Sequence, residues 1–142
     1  MEHLIHNLDE MRDFAKGVLQ DINKGVGAKI VALHGDLGAG KTAFVKELAK
    51  ELGIERHITS PTFVILKKYE TQDSNFKILV HIDAYRLESG EDLKLLGWDE
   101  LSKDPQNLIV VEWPEQVADV LSDDIIKVQF EYVDEETRRI TL

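Results

Sequence analysis

A chain of 142 residues, 43% of them hydrophobic, is long enough to bury one core and too short for two ordinary domains, so a single domain over residues 1–142 is expected. With 27 acidic against 17 basic residues the formal net charge is −10, which disfavours gripping a nucleic-acid backbone or an anionic membrane directly. There is no cysteine, which excludes disulfides, thiolate metal sites and cysteine nucleophiles; Met1–His6 lacks the basic start and apolar run of a signal peptide, so a soluble, cytoplasmic protein is expected.

Apolar residues at Leu8, Met11, Phe14, Ala15, Val18, Leu19 and Ile22 keep one face of a helix apolar from Leu8 to Lys24, with Asp9 as its cap and Gly25 as its stop. Lys29–Leu33 reads as a buried strand, and Ala43–Leu52 as a helix that Gly53 ends. The polar segment Ile58–Phe63 leads into a strand over Val64–Glu70. A turn at Thr71–Asn75 and a second strand over Phe76–Ile82 complete an antiparallel hairpin. Glu88–Gly97 reads as a short helix capped by Ser89 and stopped by Gly97; Trp98–Leu101 adds a turn, and Asp104-Pro105 marks a loop. The Leu95-Leu96 stretch and Trp98 are assigned to the core. Leu108–Val111 is a continuous apolar run of the kind buried on both faces of a sheet. Pro114 suits the first turn of a helix reaching about Leu121, and Ile125–Val133 with Thr137–Leu142 form a closing hairpin. Strands alternating with helices predict a three-layer α/β domain with a mainly parallel central sheet and added antiparallel strands. In such sheets ligands bind beyond the carboxyl ends of the strands.

That is where Gly35-Asp36-Leu37-Gly38-Ala39-Gly40-Lys41-Thr42 falls, between the first buried strand and its helix. The stretch satisfies the phosphate-loop pattern, in which two glycines with four residues between them precede Lys and then Ser or Thr. Glycine lets successive N–H groups turn inward at phosphate oxygens, where a side chain would block the approach. Lys41 brings a mobile charge to the outer phosphates, Thr42 offers a hydroxyl to Mg²⁺, and the helix opened at this point directs its positive end at the anion. The expected nucleotide contacts run through Asp36, Leu37, Gly38, Ala39, Gly40, Lys41, Thr42 and Ala43. A glycine-rich turn with a surface lysine is the plainer alternative.

A phosphate loop needs an acid to manage the metal ion, usually at the end of a buried strand. Asp83 closes Ile78–Ile82 and Glu112 closes Leu108–Val111; the residues alone leave open which is the metal-side acid and which orients the attacking water. His81 shares a strand face with Asp83, but His3, His6, His34 and His57 show no ligand spacing, so zinc is not expected. Thr59, Ser60 and Thr62 flank Pro61 in a hydroxyl-rich loop suited either to sensing a terminal phosphate or to a plain polar connection.

Four motifs in order, Gly35–Thr42, Ser60-Pro61-Thr62-Phe63, His81-Ile82-Asp83-Ala84-Tyr85-Arg86 and Val111-Glu112-Trp113-Pro114, resemble the TsaE family, the ATPase component of bacterial tRNA threonylcarbamoyladenosine biosynthesis. The resemblance covers nearly the whole chain. It implies a P-loop NTPase-like fold binding ATP and Mg²⁺, with Thr42 and Glu112 on the metal, Asp83 serving the attacking water and Thr62 at a switch-like position. Lys41 is then catalytic, and Trp113 belongs to the site region. A C-terminal arginine near the nucleotide is assigned to Arg139, with Arg138 as the alternative; Met11 stands where relatives often have Thr near the adenine. The resemblance also implies two partner proteins of kinase-like sugar fold, one of them the threonylcarbamoyl transferase, with tRNA reached only through them and no membrane. ATP hydrolysis, slow alone and stimulated by the partners, would reset that assembly between turnovers. The rivals are a small-molecule kinase, for which Arg12, Arg56, Arg86, Arg138 and Arg139 supply no evident lid, and a regulatory module that holds ATP without hydrolysing it.

Overall fold

Six consecutive residues without an exposed member, Asn107–Glu112, form a strand near the centre of a seven-stranded sheet. The structure is a computed structural model that describes residues 1–22, 26–36, 38–55, 58 and 65–142. In chain order its elements are β1 (Glu2–Ile5), α1 (Leu8–Asp21), β2 (Lys29–His34), α2 (Lys41–Glu51), β3 (Leu66–Glu70), β4 (Ile78–Asp83), α3 (Gly90–Lys94), α4 (Trp98–Lys103), β5 (Asn107–Glu112), a 3-10 helix (Pro114–Val120), β6 (Ile126–Asp134) and β7 (Thr137–Thr141).

The strand order is β1-β7-β6-β2-β5-β4-β3. β2 pairs in parallel with β5 and β6, and β5 with β4. The flanking pairs β3–β4, β6–β7 and β1–β7 are antiparallel. The four central strands, β6-β2-β5-β4, are therefore all parallel, and antiparallel pairings are added at the edges by β3 on one side and by β7 and β1 on the other, so the sheet as a whole is mixed. Alternation along β5 explains its unbroken apolar run: Leu108 and Val110 join a core with α1 and α2, while Ile109 and Val111 face Leu93, Trp98, Leu101 and Val117 on the opposite side. Helices thus cover both faces.

Several boundaries differ from the sequence reading. Asn7, not Asp9, caps α1: its Oδ1 accepts the Glu10 N–H at 2.8 Å, and Asp9 lies inside the first turn. α1 ends at Asp21, and the expected Gly25 stop lies outside the described residues. Gly53 and Gly97 both take positive φ, but Gly97 serves as N-cap of α4, restarting the chain after α3. Trp98 is core as expected, whereas Leu95 and Leu96 are 84% and 43% exposed. Leu93 and Trp98 already supply the buried contacts of these short helices, so the turn between them projects outward. β1 had no sequence signal: it is a four-residue edge strand with one buried residue, Ile5.

Register brings the strand ends together. Glu112 lies opposite Leu33 of β2 on one side and Asp83 of β4 on the other, so three parallel strands finish at the same edge, where the β2–α2 loop begins. Phe44 of α2 anchors the helix there, fully buried between the rings of Phe14 and Phe130, each at 5.7 Å. Phe44→Ala should therefore cost about 3–5 kcal/mol of stability by denaturant unfolding; a loss below about 1 kcal/mol would show that this cluster does not hold α2 to the sheet.

Candidate active site

The β2–α2 loop is shaped by a close approach. Gly35 has φ +146°, and a Cβ there would stand 2.6 Å from the carbonyl oxygen of Phe130 in β6, so no other residue fits without moving the strand. At the far end Gly40, φ +108°, occupies the N-cap of α2, where no side chain caps the helix and no acid sits in its first turn. The first amides of α2 are left without a side-chain acceptor, the condition for receiving an anion. Within the loop Ala39 N–H donates to the Asp36 carbonyl at 3.1 Å. Leu37 lies outside the described residues; Asp36, Gly38, Ala39, Gly40, Lys41, Thr42 and Ala43 follow one another through loop and helix as the motif requires.

Lys41 is 5% exposed. Its Nζ donates to the carbonyl of Gly35 at 2.5 Å and stands 4.1 Å from the centroid of the Trp113 ring. Burial pushes its pKa below the ordinary lysine value, while Glu112, Glu115, Asp83 and Asp36 act in the opposite direction. Trp113 reaches it through an unusual backbone. It leaves β5 at φ +56°, a left-handed conformation that costs a bulky residue about 1–3 kcal/mol. The turn also lays its ring 5.2 Å from that of Tyr85.

Both strand-end acids are buried at this edge, Asp83 at the end of β4 and Glu112 at the end of β5. The Oδ1 of Asp83 accepts the Tyr85 N–H at 3.0 Å. The Oε2 of Glu112 lies 2.7 Å from Nε2 of His81, which is wholly buried. The sequence reading weighed His81 with Asp83 and missed this pairing, which needs the β4–β5 register to be seen. A His34–Glu115 pair at 3.2 Å also escaped it; with Gly35, Asp36, Ala39 and Trp113 these residues line a cleft of about 430 Å³. On the other side of the loop Thr42 and Ala43 open on a cavity of about 610 Å³ bordered by Lys46, Ile54 and Ile58.

The structure separates the two arginines. Arg138 Nε donates to the Gly38 carbonyl at 3.2 Å and its guanidinium lies over the ring of Tyr132. Arg139, assigned to the nucleotide from the sequence, instead pairs with Glu131 at 3.0 Å and approaches Glu2. Neighbouring residues of β7 point to opposite faces, so only Arg138 shares the loop's face. Met11 is buried beneath Gly40. Thr62, with the rest of residues 59–64, lies outside the described residues.

The donors at this edge are oxygens, those of Asp83, Glu112 and the Thr42 hydroxyl, which suit a hard cation such as Mg²⁺. Among the described residues no group of three or more His, Cys, Asp or Glu forms a metal cage. Mg²⁺ is commonly held by one or two carboxylates plus substrate phosphates, so a sparse donor set fits it.

Fold and site together define a class: a mixed α/β protein in which a glycine loop, a buried lysine and two strand-end carboxylates meet at the carboxyl edge of the parallel strands. A family model described as "Threonylcarbamoyl adenosine biosynthesis protein TsaE" matches residues 5–140. Proteins called "tRNA threonylcarbamoyladenosine biosynthesis protein TsaE" from Rickettsia felis and Bacillus subtilis are 40% and 37% identical, over 95% and 79% of this chain and 75% and 67% of their own lengths. A crystal structure of Bacillus subtilis YdiB superposes with a TM-score of 0.76 at 28% identity, covering 99% of this chain and 82% of that one. The chain belongs to the TsaE family, the threonylcarbamoyl adenosine biosynthesis proteins.

The electrostatics of Lys41 can be checked directly. In the nucleotide-free protein its side chain should titrate below the usual lysine range, and Glu112→Gln, which removes the largest carboxylate contribution, should lower the value further. NMR titration of labelled lysine side chains reads both; an upward shift in the variant would contradict the arrangement.

Proposed function

We propose that the protein is a P-loop NTPase-like, Mg²⁺-dependent ATPase that serves tRNA threonylcarbamoyladenosine biosynthesis. The observation that carries the reading is the convergence of the uncapped α2 N-terminus, buried Lys41 and the carboxylates of Asp83 and Glu112 at one sheet edge.

In this reading the loop amides and α2 receive the phosphates, and Lys41 exchanges the Gly35 carbonyl for phosphate oxygens. Thr42 and Glu112 would hold Mg²⁺, which when bound neutralises charge on the outer phosphates. Asp83 orients the attacking water and accepts its proton; its bond from the Tyr85 amide fixes the carboxylate that does so. Arg138 takes the place first given to Arg139 beside the nucleotide, because its guanidinium already reaches Gly38. Thr62 keeps its proposed role in sensing the terminal phosphate.

We assign the hydrolysis to resetting a threonylcarbamoyl transferase and its companion of kinase-like fold, which stimulate an otherwise slow ATPase. A net charge of −10 supports reaching tRNA through those partners rather than by direct contact. No described helix is long and apolar enough to cross a membrane, and we place the activity in the cytoplasm.

The test is phosphate release from ATP by the purified protein, alone and with the transferase and its companion. Slow release, accelerated by the partners and yielding no phosphorylated small molecule, is expected; a phosphorylated metabolite would make the protein a kinase, and ATP bound without turnover a regulatory module. Lys41→Ala should lower the rate by on the order of a hundredfold, about 3 kcal/mol of transition-state stabilisation. Asp83→Asn should lower kcat while leaving ATP affinity within about threefold, since it serves the water rather than the phosphates; unchanged turnover would remove Asp83 from the mechanism.

A further inference from the structure

His81 sits where an apolar side chain is the ordinary choice. Its neighbours on β4, Val80 and Ile82, are completely buried, and so is the imidazole. Nε2 lies 2.7 Å from Oε2 of Glu112, and Nδ1 has no hydrogen-bond partner among the described residues. Leaving a buried polar atom unpaired costs stability that an aliphatic residue would not forfeit. What compensates this cost is the bond to Glu112.

The pattern of partners also fixes the donor. A hydrogen on Nδ1 would be a buried donor with no acceptor among the described residues, so the contacts assign the hydrogen to Nε2, which donates it to Oε2. Parallel pairing sets the reach: His81 lies opposite Val110 and Asp83 opposite Glu112, so His81 and Glu112 are diagonal neighbours on one sheet face. The bond occupies one carboxylate oxygen, and among the described residues the other, Oε1, accepts no hydrogen bond. Lys41 Nζ meanwhile is held at the Gly35 carbonyl rather than drawn to the carboxylate.

We infer that His81 is a positioning residue for Glu112, holding its carboxylate in the orientation that receives Mg²⁺ together with the nucleotide phosphates. This rests on the proposed role of Glu112 at the metal. Hydrogen-bond partners behind a ligating carboxylate orient it, and their loss weakens metal binding more than it weakens the rest of the site.

The experiment measures binding of a non-hydrolysable ATP analogue by calorimetry, across a Mg²⁺ series and in EDTA, for the full chain and for His81→Gln, His81→Asn and His81→Phe. Glutamine places an N–H near the Nε2 position; asparagine is too short to reach Glu112, and phenylalanine fills the space without a donor. The Asn and Phe variants should lose about 10–100-fold in Mg²⁺ affinity. Their affinity for the analogue in EDTA should stay within about twofold and that of the Gln variant for Mg²⁺ within about threefold, both well short of that loss. Two non-donating variants are included so that either one, if folded by thermal unfolding, carries the comparison. Equal Mg²⁺ affinity in the Gln variant and the folded non-donor, or an equal loss with and without Mg²⁺, overturns the inference while leaving the site reading intact. Mg²⁺-independent binding by the unsubstituted protein would instead overturn the metal-site reading itself.

Discussion

The site depends on a cation taken out of water. Lys41 is the first residue of α2 and is almost wholly buried, so its ammonium must be compensated locally. It gets the carbonyl of Gly35, the face of Trp113, and the field of four surrounding carboxylates. Each compensation constrains another part of the chain. The carbonyl is available because Gly35 turns against Phe130, and the aromatic face because Trp113 accepts a left-handed backbone straight out of β5. A side chain at position 35, or a relaxed backbone at 113, would undo the same arrangement from opposite sides.

Sheet order converts this local requirement into a site. β2 carries the loop, and its parallel neighbour β5 ends in Glu112; β4, next again, ends in Asp83. Because the strands run in parallel and in matched register, their carboxyl ends deliver side chains to one edge without any loop having to cross the sheet. The antiparallel additions have a different use. β6 supplies Phe130, against which Gly35 is fitted, and β7 brings Arg138 to the loop's other flank.

What the sequence made legible is what short-range pattern controls. The glycine spacing of Gly35–Thr42 announces its own backbone, and Leu108–Val111 announces double burial because both faces of β5 are covered. Asp83 and Glu112 were legible as strand-end acids for the same reason. The features that escaped depend on register or on edges. β1 buries a single side chain, too little to imprint a period. The choice between Arg138 and Arg139 turns on which residue of β7 faces the core with Ile140, and an irregularity between Tyr132 and Asp134 shifts the hairpin register nearby. His81 and Glu112 are far apart in sequence and meet only diagonally across β4 and β5. Leu95 and Leu96 mislead in the other direction: apolar residues beside a core helix read as core, yet it is Leu93 and Trp98 that are buried while the turn between them is exposed.

The acidity of the molecule bears on the site as much as on its surface. Glu112, Glu115, Asp83 and Asp36 all act on one ammonium, so the field at the loop mouth is not simply positive. On the proposed function, a triphosphate approaching such a mouth would meet repulsion that Lys41 and Arg138 offset only in part, and the remainder would fall to the α2 amides and to a divalent cation. Such repulsion grows as water is excluded from between the charges, whereas a cation held between carboxylate and phosphate turns it into attraction. On the proposed function, the same acids that oppose a bare phosphate at this mouth would favour a nucleotide that arrives with its metal ion. Coupling of that kind would select for a charge-neutralised nucleotide if, as proposed above, Asp83 and Glu112 act beside the terminal phosphate.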